Sequence, residues 1–516
     1  MTTRKARQAR NRVVANRVIF ALLVVVVLAA LYELVGVFSP VSMNTASAIA
    51  RVGQLNVSSA LLGCPAPGSA GTTGGPIAVA NVPLSAAGGH AAFTLLNSGS
   101  TSGAGKPVGS VPRPGQLTIE TIPPAPAPAR KSSGTTEMAG GKVPTSPARG
   151  GLIVSAQGAN AQGLDVEQLG PGGQATARCE PAGSDFWFVG PGATNLHVYV
   201  YLMNPDSEPA DVTVGVQTDS GLLLGPQDSG IVVPPHSMVV QTLDNLVHAA
   251  KAVALHVTTS TGRVVAAVRE STKTSEEGTW LPVAGEPATK QFLAGLPANS
   301  GARELYVTDP GDTATQVKVT VITAKGSYQP TGGTGISLLQ HQSLGISIPS
   351  LSGLTGAVEI SAAVPITGTL ETPGGPKGAP GAFIVGSGPL IGQGVVAAST
   401  SGKLGTTELE LSAPKAAASV RVTVAPPGSP LTGSQGQVVH IPARSSFEVH
   451  LDLPKRLAKD PLMAFEVTPL PGGGPVYAGR VSIIRNSVQT VIPVVSSPDT
   501  IKFANVRQSL LAILGS

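Results

Sequence analysis

Ser184-Asp185-Phe186-Trp187-Phe188-Val189-Gly190-Pro191-Gly192 opens the stretch that decides the fold, and Gly262-Arg263-Val264-Val265-Ala266-Ala267-Val268-Arg269-Glu270 closes it. Between these ends, apolar and polar residues alternate in short runs cut by proline-marked turns, the period-two signature of strands buried on one face. Residues 184–270 therefore read as one complete antiparallel β unit, and weaker copies follow twice. In the first copy, Leu196-His197-Val198-Tyr199-Val200-Tyr201-Leu202 leads into Asn204-Pro205-Asp206 and then Ala210-Asp211-Val212-Thr213-Val214-Gly215-Val216. In the second, Glu304-Leu305-Tyr306-Val307-Thr308 leads into Asp309-Pro310-Gly311 and then Thr315-Gln316-Val317-Lys318-Val319-Thr320-Val321. In the third, Leu409-Glu410-Leu411 leads into Ala413-Pro414 and then Ala418-Ser419-Val420-Arg421-Val422-Thr423-Val424. The leading leucines Leu196, Leu305 and Leu409 lie 109 and 104 residues apart, a spacing of one β-sandwich per repeat.

The local chemistry agrees. Val317, Val319 and Val321 alternate with Lys318 and Thr320, β-branched residues suit a pleated surface, and Asn-Pro or Asp-Pro ends a ladder because proline has no N–H to donate. Val233-Pro234-Pro235-His236-Ser237 matches Ile441-Pro442-Ala443-Arg444-Ser445 as a turn before the next strand. Each repeat then closes on a strand: Gly262-Arg263-Val264-Val265, Val364-Pro365-Ile366-Thr367-Gly368, and Val476-Tyr477-Ala478-Gly479-Arg480-Val481. Thr279-Trp280-Leu281-Pro282-Val283 and Ala382-Phe383-Ile384-Val385, between repeats, are expected to add strands to the following unit. A propeller is the rival, but its blades recur at about 40–50 residues and no such subperiod is present.

Length and composition fit a chain of several modules. At 516 residues, roughly 150 per domain gives three or four. Hydrophobic content of 42% supplies a core, while charged residues, at 12%, leave solvation to Ser, Thr, Gln and Gly. The net charge of +5 belongs to the tail alone. Arg4, Lys5, Arg7, Arg10, Arg12 and Arg17 precede the first apolar run, and Glu33 is the one acid before Ser39, so the remaining chain is neutral. With aromatics at 3%, base-stacking platforms are lacking, and nucleic-acid binding is not expected.

Residues 18–38 are apolar except for Glu33, twenty-one in all, enough for a helix rising 1.5 Å per residue to cross a hydrocarbon core. The basic flank holds its N-terminal side in the cytoplasm and places the rest outside. The alternative is a cleavable signal peptide ending near Ala46-Ser47-Ala48, although the apolar run is longer than a usual signal core. The only two cysteines, Cys64 and Cys179, lie beyond this stretch, and an even pair outside the cytoplasm reads as a disulfide. It is expected to tie the N-terminal segment to the first repeat. That segment holds short β-like runs (Pro76-Ile77-Ala78-Val79-Ala80, Phe93-Thr94-Leu95-Leu96, Gly151-Leu152-Ile153-Val154-Ser155) and an excursion over about 97–150 rich in Pro, Gly and Ser, expected to be disordered.

The run Asp185-Phe186-Trp187-Phe188-Val189-Gly190-Pro191-Gly192, followed by a strand, Asn204-Pro205, a Val-rich strand, Val233-Pro234-Pro235 with Ser237, and Gly262-Arg263-Val264, resembles a family of actinobacterial membrane-anchored or secreted proteins of unknown function. The resemblance covers most of the chain after the apolar run, both cysteines included. It implies immunoglobulin-like sandwiches behind one transmembrane helix and, because such members are often encoded near glycosyltransferases, an envelope role. The third repeat departs most, with Ala413-Pro414 where Asn-Pro stands in the first.

No pattern for catalysis is present. Gly105-Lys106 precedes proline, so no phosphate-cradling loop forms there, and Gly386-Ser387-Gly388-Pro389-Leu390-Ile391-Gly392 has one residue too many for a dinucleotide loop. The eight histidines, His90, His197, His236, His248, His256, His341, His440 and His450, show no metal spacing, and no serine elbow occurs. The acidic turns around Asp206, Glu208 and Asp211 and around Asp309 and Asp312 could face calcium, but such residues more often accept local backbone bonds. Trp187, flanked by Phe186 and Phe188, reads as a core anchor in preference to a sugar platform.

The expectation is an all-β protein: a cytoplasmic tail (1–17), a transmembrane signal-anchor helix (18–38), a disulfide-tied β segment (39–183), and tandem immunoglobulin-like β-sandwich repeats over 184–296, 297–400 and 401–516. We expect no catalysis, no cofactor and no metal, and a partner that is an envelope protein or glycan. The alternative is a glycan-binding or glycosyltransferase-accessory module. The sequence does not fix the oligomeric state.

Overall fold

The computed structural model describes residues 26, 52–65, 77–81, 91–96, 107–111, 117–123, 150–168, 176–192, 196–223, 230–243, 247, 249–272, 278–298, 301, 303–349, 351, 353–373, 381–397, 405–425, 430–431, 436–450, 464–484, 487–497 and 500–504. The chain divides into two compact units, Met1–Leu55 with Lys502–Ser516, and Asn56–Ile501. In the first, the strands Val52–Asn56 and Thr500–Ala504 pair with each other. The expected anchor over 18–38 lies outside the described residues apart from Val26, and among the described residues no helix is long and apolar enough to cross a membrane.

Asn56–Ile501 is built of strands, with a short 3-10 turn at Gly158–Ala161. One strand order recurs three times. In the first module, Asp185–Pro191, Ala252–Thr261 and Ala210–Thr218 lie side by side, and Ala210–Thr218 also pairs with Gly221–Leu223 and Ile231–Val233. The facing sheet runs Ser237–Thr242, Leu196–Asn204, Val265–Thr272, Gly278–Leu281. Both sheets give inward residues to one core, including Phe188, Val200, Val214, Leu255 and Val268. In the third module the equivalents are Gly394–Val396, Ala464–Pro469, Ala418–Ala425 and Gln437–Ile441, facing Ser445–Glu448, Gly405–Ala413, Tyr477–Ile484 and Ser487–Val494.

The second module fills two places with one 16-residue strand, Gly356–Glu371. Over Gly356–Ser361 it pairs with Lys290–Leu296 and Lys318–Thr323, Ala288 stands opposite Ile366 across a bulge, and from Thr367 it pairs with Arg303–Thr308 in the other sheet. Pro365, which has no N–H to donate, stands in the passage between the two. The burial pattern of Thr315–Thr323 keeps Val317, Val319 and Val321 inside and Lys318 outside, as the alternation predicts.

Three details correct the sequence reading. Val200, Leu305 and Leu409 are the equivalent core residues, each four positions before Asn204, Asp309 and Ala413, so Leu196 is not the counterpart of the later leucines. Gly278–Leu281 and Phe383–Ser387 pair with the closing strands of their own modules, Leu281 opposite Val268 and Phe383 opposite Glu371, and so complete the preceding unit and not the following one. The strands Pro107–Val111 and Leu117–Ile122 lie inside the stretch 97–150 expected to be a disordered excursion. Leu117-Thr118-Ile119-Glu120-Thr121-Ile122 carries strand-forming residues that the surrounding Pro and Gly obscured. Residues 97–106 and 124–149 of that stretch lie outside the described residues.

The turns also have more in them than proline. Asn204 Oδ1 accepts the N–H of Asp206 at 2.9 Å, and Asp309 Oδ1 that of Gly311 at 2.8 Å, so both side chains close an Asx turn. Ala413 cannot do this, which explains why the third copy is hardest to recognise. His236, His341 and Arg444 adopt left-handed backbone (φ 45°, 54° and 55°) in the turn before the matching strand of each module. Ser237 Oγ donates to the Pro234 carbonyl at 2.7 Å and Ser445 Oγ to that of Pro442 at 3.0 Å, the same local bond in two copies.

A further two-sheet module precedes the three. One sheet runs Glu180–Pro181, Ser59–Cys64, Gly151–Gln157, Leu117–Ile122, Pro107–Val111; the other runs Pro430–Leu431, Ala91–Leu96, Ile77–Asn81, Asp165–Gln168, Ala177–Arg178. The Cys64–Cys179 disulfide is present. Cys179 sits where the chain passes from one of these sheets to the other, so the bond braces the N-terminal module internally instead of tying it to the first repeat.

Each module packs on the next through outer sheet faces. Ile122 and Ile153 meet Tyr201, Met203, Met238 and Val265 of the first. Tyr306 and Phe383 of the second join the core around Trp187, and Gln217 Oε1 accepts from Thr308 Oγ1 at 2.6 Å. Val481 and Val491 of the third join the core of the second. There Gly295 has φ 96°, and a Cβ on it would stand 2.8 Å from Val491 Cγ1 and 3.1 Å from Gly479 Cα, so only glycine admits this approach. Finally, the third module returns to the N-terminal one, with Leu431 opposite Ala91 and Arg480 paired to Glu167. Four modules thus close a circuit.

Candidate functional site

Where the four modules meet they leave a cleft of about 180 Å³. Its walls come largely from the last strand of each repeat: Trp280 and Leu281 from Gly278–Leu281, Phe383 from Phe383–Ser387, and Ile492 from Ser487–Val494. The N-terminal module supplies Arg178 and Glu180, the only titratable groups in the lining among the described residues.

Behind that end of the cleft lies a group of buried charges. Arg178 Nη2 stands 2.8 Å from Asp165 Oδ1, with the Asp165 side chain 1% exposed. Arg480 Nη1 stands 2.9 Å from Glu167 Oε2, and both side chains are fully buried. One peptide links the two pairs: the Ala397 N–H donates to Asp165 Oδ2 at 2.8 Å, and its carbonyl accepts from Arg480 Nη1 at 3.0 Å. Burial pushes the Glu167 carboxyl up to about 8 against the opposing pull of Arg480, with Asp165 adding to the rise. Glu180 is also raised, first by burial and then by Asp165, with Arg178 opposing. For Arg178, burial acts against the charge, but Asp165, Glu180 and Glu167 outweigh it and hold the guanidinium above its ordinary value.

Asp165 and Glu167 each lie against a guanidinium, and Glu180 interacts electrostatically with Arg178 as well. Burial keeps Glu167 protonated to about pH 8, so no excess of negative charge builds up at this end of the cleft.

A second buried acidic group lies between the first and second modules. Tyr306 Oη donates to Glu371 Oε2 at 3.1 Å, and burial, with the Glu371 charge second, lifts Glu270 well above the usual carboxyl range. These groups lie within packed sheets and do not line the cleft.

The residues singled out in the sequence serve the fold. Phe186, Trp187 and Phe188 are all buried in the first core, and Trp187 stacks on His256 with ring centroids 3.9 Å apart and 13° between planes. His256 Nε2 in turn lies 3.1 Å from Asp185 Oδ1. Trp280, Tyr201 and Tyr306 are buried too, so among the described residues no row of exposed rings is formed for a sugar. Asp206 grips Arg263 through both oxygens (2.8 and 3.0 Å), a bond that holds its carboxyl below the usual range, and Asp211 accepts from Thr261 at 2.9 Å. Among the described residues no three His, Cys, Asp or Glu side chains are placed to hold a metal. Ser419 Oγ meets His440 Nδ1 at 2.8 Å, but the two are cross-strand neighbours, and among the described residues no carboxylate bonds the imidazole to orient it for nucleophilic catalysis.

Sequence reasoning missed Glu167, Arg178, Glu180, Trp280 and Arg480. The available signal was acids and bases inside strand-like runs, as in Leu164-Asp165-Val166-Glu167-Gln168 and Gly479-Arg480-Val481, where burial demands a partner.

Fold and site together define a multi-module all-β protein with a cleft enclosed by its own modules. The chain belongs to a family of unknown function, DUF5719, whose profile matches residues 133–452. No curated protein and no solved structure matches the chain.

Proposed function

We propose that the chain is a single-pass, membrane-anchored, extracytoplasmic scaffold of the bacterial cell envelope, built from immunoglobulin-like β-sandwiches, that acts by binding a partner and not by catalysis. The observation that carries this reading is the closure of four β modules by apolar interfaces and the fully buried Glu167–Arg480 contact, around a cleft whose lining among the described residues holds no nucleophile–base pair. Such a frame holds a binding surface rigid. The Cys64–Cys179 disulfide fits an oxidising compartment, and the basic residues ahead of 18–38 fit a cytoplasmic N-terminus. An envelope protein is the better-supported partner, because the described aromatic rings lie mostly in cores and not on a face that could stack on glycan.

Chemical crosslinking in intact cells followed by mass spectrometry tests this. Crosslinked peptides joining this chain to another envelope protein are expected. Self-crosslinks alone would contradict the scaffold role.

A further inference from the structure

We propose that Thr308 and Gln217 form an intramolecular ester, a covalent bond between the second and first modules that releases one ammonia. It is a single self-modification of the fold and stands apart from the partner-binding role.

The two side chains are already in place. Thr308 Oγ1 donates to Gln217 Oε1 at 2.6 Å, with the Gln342 carbonyl a longer alternative at 3.2 Å. A C=O bond of about 1.23 Å then puts the hydroxyl oxygen at most about 3.8 Å from Gln217 Cδ, close to the roughly 3–3.5 Å of a near-attack geometry. Thr308 is fully buried and Gln217 is 5% exposed, so water is kept from the carbonyl and from the ester once it forms. Ser343 Oγ, also buried, donates to Thr308 Oγ1 at 3.0 Å and so leaves the threonine hydrogen to point at the glutamine.

A hydroxyl and an amide also need a group that moves protons between them. His341 Nδ1 lies 3.4 Å from Gln217 Nε2, the nitrogen that must leave, and His341 Nε2 lies 2.9 Å from Asp312 Oδ1. A carboxylate against one ring nitrogen fixes the proton there and turns the lone pair of the other towards the amide, the arrangement that acyl transfer uses. A left-handed backbone, φ 54°, holds His341 in this position. In the reaction Thr308 Oγ1 bonds to Gln217 Cδ, the Cδ–Nε2 bond breaks, and its electron pair leaves with the nitrogen. The hydroxyl proton reaches that nitrogen by way of His341. Nothing is oxidised or reduced, and loss of ammonia to solvent draws the exchange forward.

A second buried pair of the same residue types serves as an internal comparison. Gln291 Nε2 donates to Thr367 Oγ1 at 3.1 Å, and Thr367 Oγ1 donates to the Gly285 carbonyl at 2.7 Å, against 3.4 Å to Gln291 Oε1. That hydroxyl is turned away from its glutamine, and no imidazole bonds the amide among the described residues, so no ester is expected there.

Tryptic peptide mapping of the reduced and alkylated full-length chain tests the assignment. Trypsin releases Gln217 in peptide 179–251 and Thr308 in peptide 304–318. The two should be recovered joined and lighter than their sum by one ammonia, about 17 Da. Mild hydroxylamine, which cleaves esters and not amides, should part them. Thr308→Val should return both peptides free at full mass, and Thr308→Ser should restore the link. His341→Asn, which tolerates the left-handed backbone, should slow formation of the link by about 100-fold or more, the usual contribution of a general acid–base group. Free, unmodified peptides from wild-type chain kept for a week at neutral pH would overturn the proposal, as would a link that survives Thr308→Val. A link formed at the wild-type rate in His341→Asn would overturn the role given to the histidine.

Discussion

Replacing Glu167 by Gln should stabilise this protein at neutral pH, although it removes half of a buried ion pair. Glu167 and Arg480 are both fully buried, and burial lifts the Glu167 carboxyl from its ordinary 4.5 to about 8 despite the guanidinium 2.9 Å away. Desolvation thus outweighs attraction, as it does for many buried pairs. Between pH 4.5 and 8 the folded chain holds a proton that the unfolded chain has lost, so stability falls with rising pH by about 1.4 kcal/mol per unit. The contribution is fully present below pH 4.5 and is lost as pH rises through 8. Glutamine keeps the shape and one acceptor for Arg480 but does not titrate. Wild type and Glu167→Gln should therefore match near pH 4.5, and the variant should lead by about 3 kcal/mol at pH 7 and by about 5 above pH 8. Urea unfolding of both proteins at pH 5, 7 and 8.5, without reductant, measures this. Other raised carboxyls, Glu270 and Glu410 among them, slope the same way in both proteins and cancel in the difference. A variant several kcal/mol less stable than wild type at pH 7 would refute the reasoning, because it would mean that Arg480 holds Glu167 charged.

Three further experiments probe the cores and interfaces. Trp187→Ala should lower stability by about 3–5 kcal/mol, since the ring is 6% exposed within the first core; a nearly unchanged melting temperature with loss of glycan binding would make it a sugar platform instead. Cys64→Ser with Cys179→Ser opens a loop of 115 residues and should remove roughly 4–5 kcal/mol in the chain-entropy picture; an unchanged urea midpoint would deny the bond a bracing role. Gly295→Ala should be more destabilising than Gly326→Ala by about 1–3 kcal/mol, because both have positive φ but only Gly295 faces atoms within 3 Å; equal midpoint shifts would show that the second and third modules do not approach so closely.

What the sequence made legible was local. Val317-Lys318-Val319-Thr320-Val321 revealed its strand because one face is buried and the other wet, and periodicity records that difference directly. The Asn204 and Asp309 turns stood out because proline and an Asx side chain act within a few residues. The cysteine pairing was readable from count and position, but not its role, since nothing in sequence says that Cys179 lies at a crossing between two sheets of one module.

The cleft was not legible at all. Glu167 and Arg480 are 313 positions apart, and a charge inside a strand looks like an ordinary exposed residue until its neighbours are known. Trp280 and Phe383 were assigned to the wrong neighbouring modules for the same reason: an edge strand can pair forwards or backwards, and only register decides.

Closure of the circuit is tested most directly by a crosslink between its ends. Ala91 and Leu431 are opposed residues of antiparallel strands from the N-terminal and third modules. Opposed residues in such a pair have Cα atoms about 4.5–5.5 Å apart, within the range that a disulfide spans. In a chain carrying Ala91→Cys and Leu431→Cys, with the native Cys64–Cys179 bond intact, mild oxidation should consume both new thiols and join peptides 340 residues apart. Two thiols that remain free and alkylatable in the folded, oxidised protein would contradict the closed arrangement.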